Sequence, residues 1–291
     1  DGFATWQVTL PLDVGTNTLA VETVDARGNS NSTADTATVH SRAFPFLQNP
    51  GDHGVVVDTA NNRALVLEAG EPDALFAFDL TTGERTVLSS TGAVDKLSNT
   101  AAVGGGVALT LPGNLVPDQA NNRVIATDLL NDNIVAFDLN TGERTVVLNQ
   151  NTAGGSGPAF RLFRSALLDA ANNRLLLMDG FNGDMRLFAV NLGTRNRTII
   201  SATGVGSGPA LNVSEPMVLD SANNRLLVAD ANNQSGVVLS INLSNGNRQV
   251  VSGFNTQTST LVGAGTTFLS PVSLRFDSAR NAVLIADGSR N

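Results

Sequence analysis

Five acidic residues close five versions of one phrase. Glu68 ends "RALVLE", Asp128 ends "RVIATD", Asp179 ends "RLLLMD", Asp230 ends "RLLVAD" and Asp287 ends "AVLIAD". Two carboxylates ~10 Å apart repel by roughly 1.7 kcal/mol at an effective dielectric of 20. A set held at equivalent positions therefore favours a bound cation, or a cationic or polyhydroxy ligand. Asp128, Asp179 and Asp230 are the candidates for calcium, a hard cation that takes oxygen ligands. All five acids are candidates for ligand binding. The same acids have a local use open to them, satisfying the amides of their own loops.

Other chemistry is thinly supplied. The chain has no cysteine and no tyrosine, and its two histidines, His40 and His53, lie outside the repeated phrases. Thiol catalysis and cysteine metal sites are excluded, and a proton-shuttling pair has few candidates. "GVGSG" and "GGSGP" resemble phosphate loops, but no helix follows them. No catalytic residue is assigned.

The acids must be positioned by the repeat that carries them. Its anchors are Asp58, Asp118, Asp169, Asp220 and Asp277, spaced by 60, 51, 51 and 57 residues. That period is too long for a helical solenoid unit and suits four strands. A short apolar run such as "PMVLD" predicts a first strand, "SANN" a tight turn and "RLLVAD" a second strand. A polar loop, a third strand such as "GVVLSINL", a turn at "SNGN" and a last strand "RQVVS" complete the unit. Phe76, Phe78 and Leu80 alternate with Ala77 and Asp79, which places one face against a neighbouring sheet. In "TTGER" and "NTGER" the glycine supplies a left-handed residue. Arg85, Arg144, Arg197 and Arg248, one after each hairpin, are expected to form pairs on the blade surface.

Four-stranded units repeating radially make a β-propeller. The glycine-rich approaches "GVGSGPALNVSEP", "AGGSGPAFRLFRS" and "GAGTTFLSP", followed by the "NNRLLVAD" phrase, resemble the NHL-repeat propellers and the related gluconolactonase-like (SMP-30-like) propellers. The resemblance covers roughly residues 46–291. It implies six or seven blades in a complete ring, of which about four and a half are visible. It also implies that the loops after the second strands surround one mouth of the central channel, where Glu68, Asp128, Asp179, Asp230 and Asp287 would stand. The gluconolactonase-like members imply a central divalent metal, but their ligands have no residue-by-residue match in this chain.

Residues 1–42 do not fit the repeat. Trp6, Val8, Leu10, Gly15, Asn17, Leu19, Val21, Asp25, Gly28 and Asn29 form a pattern that resembles the closing half of bacterial immunoglobulin-like modules. The expected organisation is therefore a partial β-sandwich at 1–42, a junction at 43–54 stiffened by Pro45 and Pro50, and a propeller at 55–291, truncated at its end.

The net charge is −8, with 20 Asp against 6 Glu, which disfavours nucleic acid as a partner. No apolar run is long enough to span a membrane. The reading these features support is an all-β, non-catalytic propeller for binding, adhesion or scaffolding in a large exported bacterial surface protein. Its expected partners are a protein or glycan ligand and other domains of the same protein. Two alternatives stand: an enzyme, either a sugar lactonase or a polysaccharide lyase with a metal in the channel, and a structural subunit that assembles through open sheet edges.

Overall fold

The computed structural model describes residues 15–21, 27–28, 35–41, 55–68, 73–92, 102–110, 112–128, 130–149, 155–181, 184–212, 214–232, 235–266, 268–269, 271–277 and 279–288. The chain divides into two compact units, residues 1–48 with 95–100, and 49–94 with 101–291. In the first, β1 (Gly15–Val21) and β2 (Asp35–Ser41) form an antiparallel pair in register from Gly15 opposite Ser41 to Val21 opposite Asp35. The strand expected around Trp6 and the 43–54 junction lie outside the described residues.

The second unit is a series of antiparallel sheets, one per repeat. Blade I is β3 (Val55–Asp58), β4 (Arg63–Glu68), β5 (Ala74–Asp79) and β6 (Arg85–Ser90). Blade II is β7 (Pro112–Asp118), β8 (Arg123–Asp128), β9 (Asn133–Asp138) and β10 (Arg144–Asn149). Blade III is β11 (Phe163–Asp169), β12 (Arg174–Phe181), β13 (Asp184–Asn191) and β14 (Arg197–Ser201). Blade IV is β15 (Ser214–Asp220), β16 (Arg225–Asn232), β17 (Ser235–Asn242) and β18 (Arg248–Asn255), with a fifth strand, β19 (Thr260–Val262), added at its edge. Blade V holds β20 (Pro271–Asp277) and β21 (Ala282–Asp287). The first strands of successive blades lie beside one another, β3 by β7, β7 by β11, β11 by β15 and β15 by β20.

The "DxxNNR" phrase is a self-contained turn. The buried carboxylate of Asp220 accepts from Asn223 Nδ2 at 2.8 Å and from Arg225 Nε at 2.7 Å. Asn224 then takes the left-handed conformation, φ 48°, as Asn62, Asn122 and Asn173 do in their blades. The first Asn is a donor and the second a backbone solution, because Asn tolerates positive φ at little cost. Burial alone would raise the pKa of Asp220. The hydrogen bonds and charge supplied by Asn223 and Arg225 outweigh burial and hold it below the usual carboxylate range. Blade V rewrites the phrase as "DSARNA": Ala282 stands where the arginine was, and Arg280 NH1 reaches Asp277 Oδ2 at 2.6 Å instead.

The third strands bury both faces, not one. Leu75 and Phe76 are both buried, as are Leu187 and Phe188, and Val238 and Leu239. Blades III and IV are each stacked between two others, which covers both faces of their third strands. Three apolar clusters fill the successive gaps, between blades I and II, II and III, and III and IV.

The glycine-rich approaches run along the next blade's hairpin. The amide of Arg248 donates to the carbonyl of Ser207 at 2.7 Å, and that of Arg197 to Ser156 at 2.7 Å. A Cβ on Gly206 would lie 2.1 Å from the Gly246 carbonyl oxygen, and one on Gly208 would lie 2.0 Å from that of Arg248. Two backbones meet there, and only glycine leaves room.

The arginines after the hairpins differ from the expectation of surface pairs. Arg144 and Arg248 are buried. Arg248 donates through Nε to the Pro209 carbonyl at 2.5 Å and through NH1 to Ser201 Oγ at 2.5 Å, which ties blade IV to blade III. Arg144 does the same to Val107 O at 2.8 Å and Ser89 Oγ at 2.6 Å, between blades II and I. Burial pulls both guanidinium pKa values down. Arg85 remains exposed above the Phe78 ring, 5.2 Å from its centroid.

Candidate functional site: the second-strand acids and the loops they anchor

Four of the five acids, all but Glu68, face a bulge in the first strand of their own blade. Asp128 pairs with Pro112, Asp179 with Phe163, Asp230 with Ser214 and Asp287 with Pro271, and in each case the register shifts immediately afterwards. A bulge bends the strand and frees ladder groups, and the carboxylate collects the amides just before it. Asp179 Oδ1 accepts from the amides of Arg161 and Leu162, both at 2.7 Å. Asp128 accepts from the amide of Thr110 at 3.2 Å, Asp230 from that of Asn212 at 2.8 Å, and Asp287 from that of Leu269 at 2.9 Å. Asp128, Asp179 and Asp230 are fully buried, Glu68 is buried and Asp287 half-buried.

Asp128, Asp179, Asp230 and Asp287 act as latches that hold the entry loops of blades II to V. Further donors complete two of them. Asn131 Nδ2 reaches Asp128 Oδ2 at 2.8 Å and Thr110 Oγ1 at 2.7 Å. The Arg186 guanidinium pairs with Asp179 and lies 4.8 Å from the centroid of the Phe188 ring. Among the described residues no three His, Asp or Glu side chains converge as a metal ion requires. Asp128, Asp179 and Asp230 each stand in their own blade.

What the latched loops present to solvent was not evident from the sequence. Leu130 is 65 % exposed on the loop after β8, and Phe181 is 54 % exposed at the end of β12. Asp132, half-buried and held at φ 49°, shares the loop of Leu130, and the exposed ion pair of Arg161 with Asp184 stands opposite Phe181 at the end of β12. The Asp132 pKa is raised, first by burial and then by the charges of Asp179 and Asp128. Asp132 therefore lies within electrostatic reach of Asp179, two residues before Phe181 on β12. The signal available beforehand was an apolar residue inside a polar loop, "LLNDN" and "GFNGD". The Asn-Gly pair of the second loop is a strong tight-hairpin dipeptide, which explains why β12 and β13 run on to pair Phe181 with Asp184.

Comparison with solved structures agrees with this fold. The chain is similar to a chain of a nidogen–laminin complex, with a TM-score of 0.57 and 15 % identity over 94 % of this chain and 86 % of that one. The fold is a β-propeller. A structural genomics protein from Bacteroides thetaiotaomicron matches at TM-score 0.52 and 14 % identity, over 81 % of this chain and 52 % of its own. An extracellular domain from B. thetaiotaomicron matches at TM-score 0.50 and 9 % identity, over 92 % of this chain and 30 % of its own. No protein-family profile matches the sequence, and no curated protein does.

Proposed function

We propose that this propeller is a non-catalytic binding module that captures a protein partner through the loops of blades II and III. The observation that carries the reading is the pair Leu130 and Phe181, large apolar side chains held out to solvent by loops whose roots are latched by buried carboxylates. Aromatic and aliphatic anchors on a rigid support are what an interface core needs. Asp132, on the loop of Leu130, favours a partner with a basic flank to its apolar anchor. The similarity to a chain solved in a nidogen–laminin complex, and to an extracellular domain, supports a protein ligand and an exported setting. Among the described residues no helix is long and apolar enough to cross a membrane. In this reading the protein works at a bacterial cell surface, with residues 1–42 as part of an immunoglobulin-like stalk.

The test is selection of a phage-displayed random peptide library against the protein, followed by affinity measurement on variants. Selected peptides should carry an apolar residue next to Lys or Arg. They should lose at least tenfold in affinity to Leu130→Asp or Phe181→Asp, and none to Val205→Asp, a substitution in the approach to blade IV. Peptides that bind both loop variants as tightly as the parent protein would overturn the reading.

A further inference from the structure

The hairpins that join third to fourth strands do not all carry the same charge. Those of blades I and II read "DLTTGERT" and "DLNTGERT". Asp79, Glu84 and Arg85 stand in one, Asp138, Glu143 and Arg144 in the other, so two carboxylates and one guanidinium leave each at −1. The blade III hairpin reads "NLGTRNRT". Asn191 and Asn196 stand where the carboxylates were, and Arg195 stands where the glycine was. Two guanidinium groups, Arg195 and Arg197, and no carboxylate remain. The blade IV hairpin, "NLSNGNRQ", has also lost both acids but keeps its glycine. Of the four, blade III alone adds base as it loses acid, in a chain whose net charge is −8. Blades II and IV flank it on either side.

The side-chain oxygens nearest these arginines are already engaged. Asn191 Oδ1 accepts from the amides of Gly193 at 3.0 Å and Thr194 at 2.8 Å. Asn196 Oδ1 accepts from the amide and hydroxyl of Ser156 at 2.8 and 3.2 Å. Asp169 accepts from Asn172 Nδ2 and from Arg174 Nε, both at 2.8 Å. The donors are another matter. Among the described residues Arg174 bonds through Nε alone, and the Arg195 guanidinium has no hydrogen-bond or ion-pair partner. Nδ2 of Asn191 and of Asn196 have none either. These donors belong to one corner of the blade. Arg174 pairs with Asn191 across the sheet, and the Arg195 amide donates to the Asn191 carbonyl at 2.8 Å. The two arginines thus bracket Asn191.

Arg195 also sits at φ 63°, a conformation that the hairpins of blades I, II and IV give to glycine. Strained positions of this kind cluster at binding and catalytic sites. We propose that the blade III hairpin binds an oxyanion, the carboxylate, sulfate or phosphate group of a ligand, between Arg174 and Arg195. A guanidinium whose Nε is tied down still offers its NH1 and NH2 edge, a fork that fits two oxygens of such a group. The amide donors of Asn191 and Asn196 stand ready for a third oxygen, and no carboxylate of the hairpin repels it. A neutral or cationic ligand would leave these donors without acceptors. The site is separate from the loop-face interface. Phe181 pairs with Asp184 at the start of β13 and Asn191 ends that strand, so either reading can fail without the other.

Titration of the 291-residue chain with sodium sulfate, phosphate and glucuronate, each against sodium chloride at equal ionic strength, tests it. The arginine Nε–H resonances of the nitrogen-labelled protein report binding residue by residue. Arg174 and Arg195 should shift and saturate with at least one of the three anions, at a Kd of about 1 mM or below. Arg85, exposed in blade I, should shift no more than it does in chloride. The anion bound most tightly gives the source, an inorganic ion or a sugar carboxylate. Asn191→Asp keeps the turn, since Asp79 and Asp138 make the same hydrogen bonds to their own turn amides. It should weaken binding at least tenfold with an unchanged urea midpoint. Arg195→Gly should weaken binding as much without lowering the midpoint. Shifts no larger than those in chloride for all three anions, or either variant binding as tightly as the parent chain, would overturn the proposal.

Discussion

Ser89 in blade I, Leu148 in blade II and Ser201 in blade III hold the same place in their repeats, near the end of the fourth strand, and they divide the blade junctions into two kinds. At the I–II junction Ser89 Oγ donates to the carbonyl of Gly142 at 2.7 Å and receives Arg144. At III–IV Ser201 does the same with Gly246 at 2.7 Å and with Arg248. At II–III the serine is Leu148, the hairpin glycine is Arg195, and the arginine that could reach across, Arg197, lies 5.4 Å from the centroid of the Phe160 ring. Phe160 packs edge-on against Phe163 and Phe188, with centroids 4.7 and 5.0 Å away. One repeat thus solves blade stacking twice, by a buried guanidinium that collects carbonyls and by an aromatic cluster. The aromatic junction joins the two blades that carry Leu130 and Phe181, and its polar tie is an uncharged one: Asn114 donates to the Ala166 carbonyl at 2.7 Å and accepts from the Ala166 amide at 2.9 Å.

The sharpest way to break the comparison is to empty the aromatic junction. Phe160 is buried, and Phe160→Ala removes a ring shared with two others. The expected loss is about 4 kcal/mol, within the range for large-to-small core substitutions. Urea unfolding measures it. Because Leu109 and Leu211 hold the same place at the other junctions, Phe160→Leu should cost much less. If both variants cost the same, the cluster is not what holds blades II and III together.

Next in size is the bolt. Arg248→Met keeps the aliphatic stem and removes the donors, leaving Ser201 Oγ and the Pro209 carbonyl without the guanidinium they accept from, while the Ala202 and Val205 carbonyls keep each other's amides. Orphaned buried acceptors and a lost charged hydrogen bond together cost about 3 kcal/mol. Native-state hydrogen exchange should show the loss concentrated at the amides of β14 and β18, with β8 and β9 unaffected. A loss spread evenly over all blades would mean that the arginine supports the whole array and not one junction.

How far each device was legible in the sequence follows from how local it is. The Asp–Asn–Asn–Arg turn could be read letter by letter because all its partners lie within five residues of one another. The strands and their period of about four per repeat were equally plain. The bolts were not, because Arg144 and Ser89 are 55 residues apart and nothing in "TGER" shows what stands opposite. That is why Arg144 and Arg248 read as surface residues and are buried. The second-strand acids were visible as a series. Their work as latches depends on amides 17 or 18 residues earlier, across a bulge that no residue type announces. Leu130 and Phe181 sat in plain view in their loops, but an apolar letter does not report its own exposure.

The smallest effect expected is a gain. The fourth residue after Asn191 and Asn242 closes a hairpin that needs one left-handed position, and blades I, II and IV use Gly83, Gly142 and Gly246 there, with φ of 72 to 74°. Blade III uses Arg195 at φ 63°. A side chain in that conformation crowds the following carbonyl at a cost of roughly 1–2 kcal/mol. Glycine also loses more chain entropy on folding, about 0.5–1 kcal/mol. Arg195→Gly should therefore raise stability by up to about 1 kcal/mol, read as a higher urea midpoint with an unchanged slope. The reverse change at an equivalent site should be costly for a second reason. A Cβ on Gly246 would lie 2.0 Å from the Ile200 carbonyl oxygen, whereas Gly83, which has no described blade before it, has nothing within 4 Å. Gly246→Ala should then destabilise more than Gly83→Ala, and the difference between them isolates the contact between blades from the strain of the turn itself. Equal losses at both positions would show that blade stacking does not press on the hairpins.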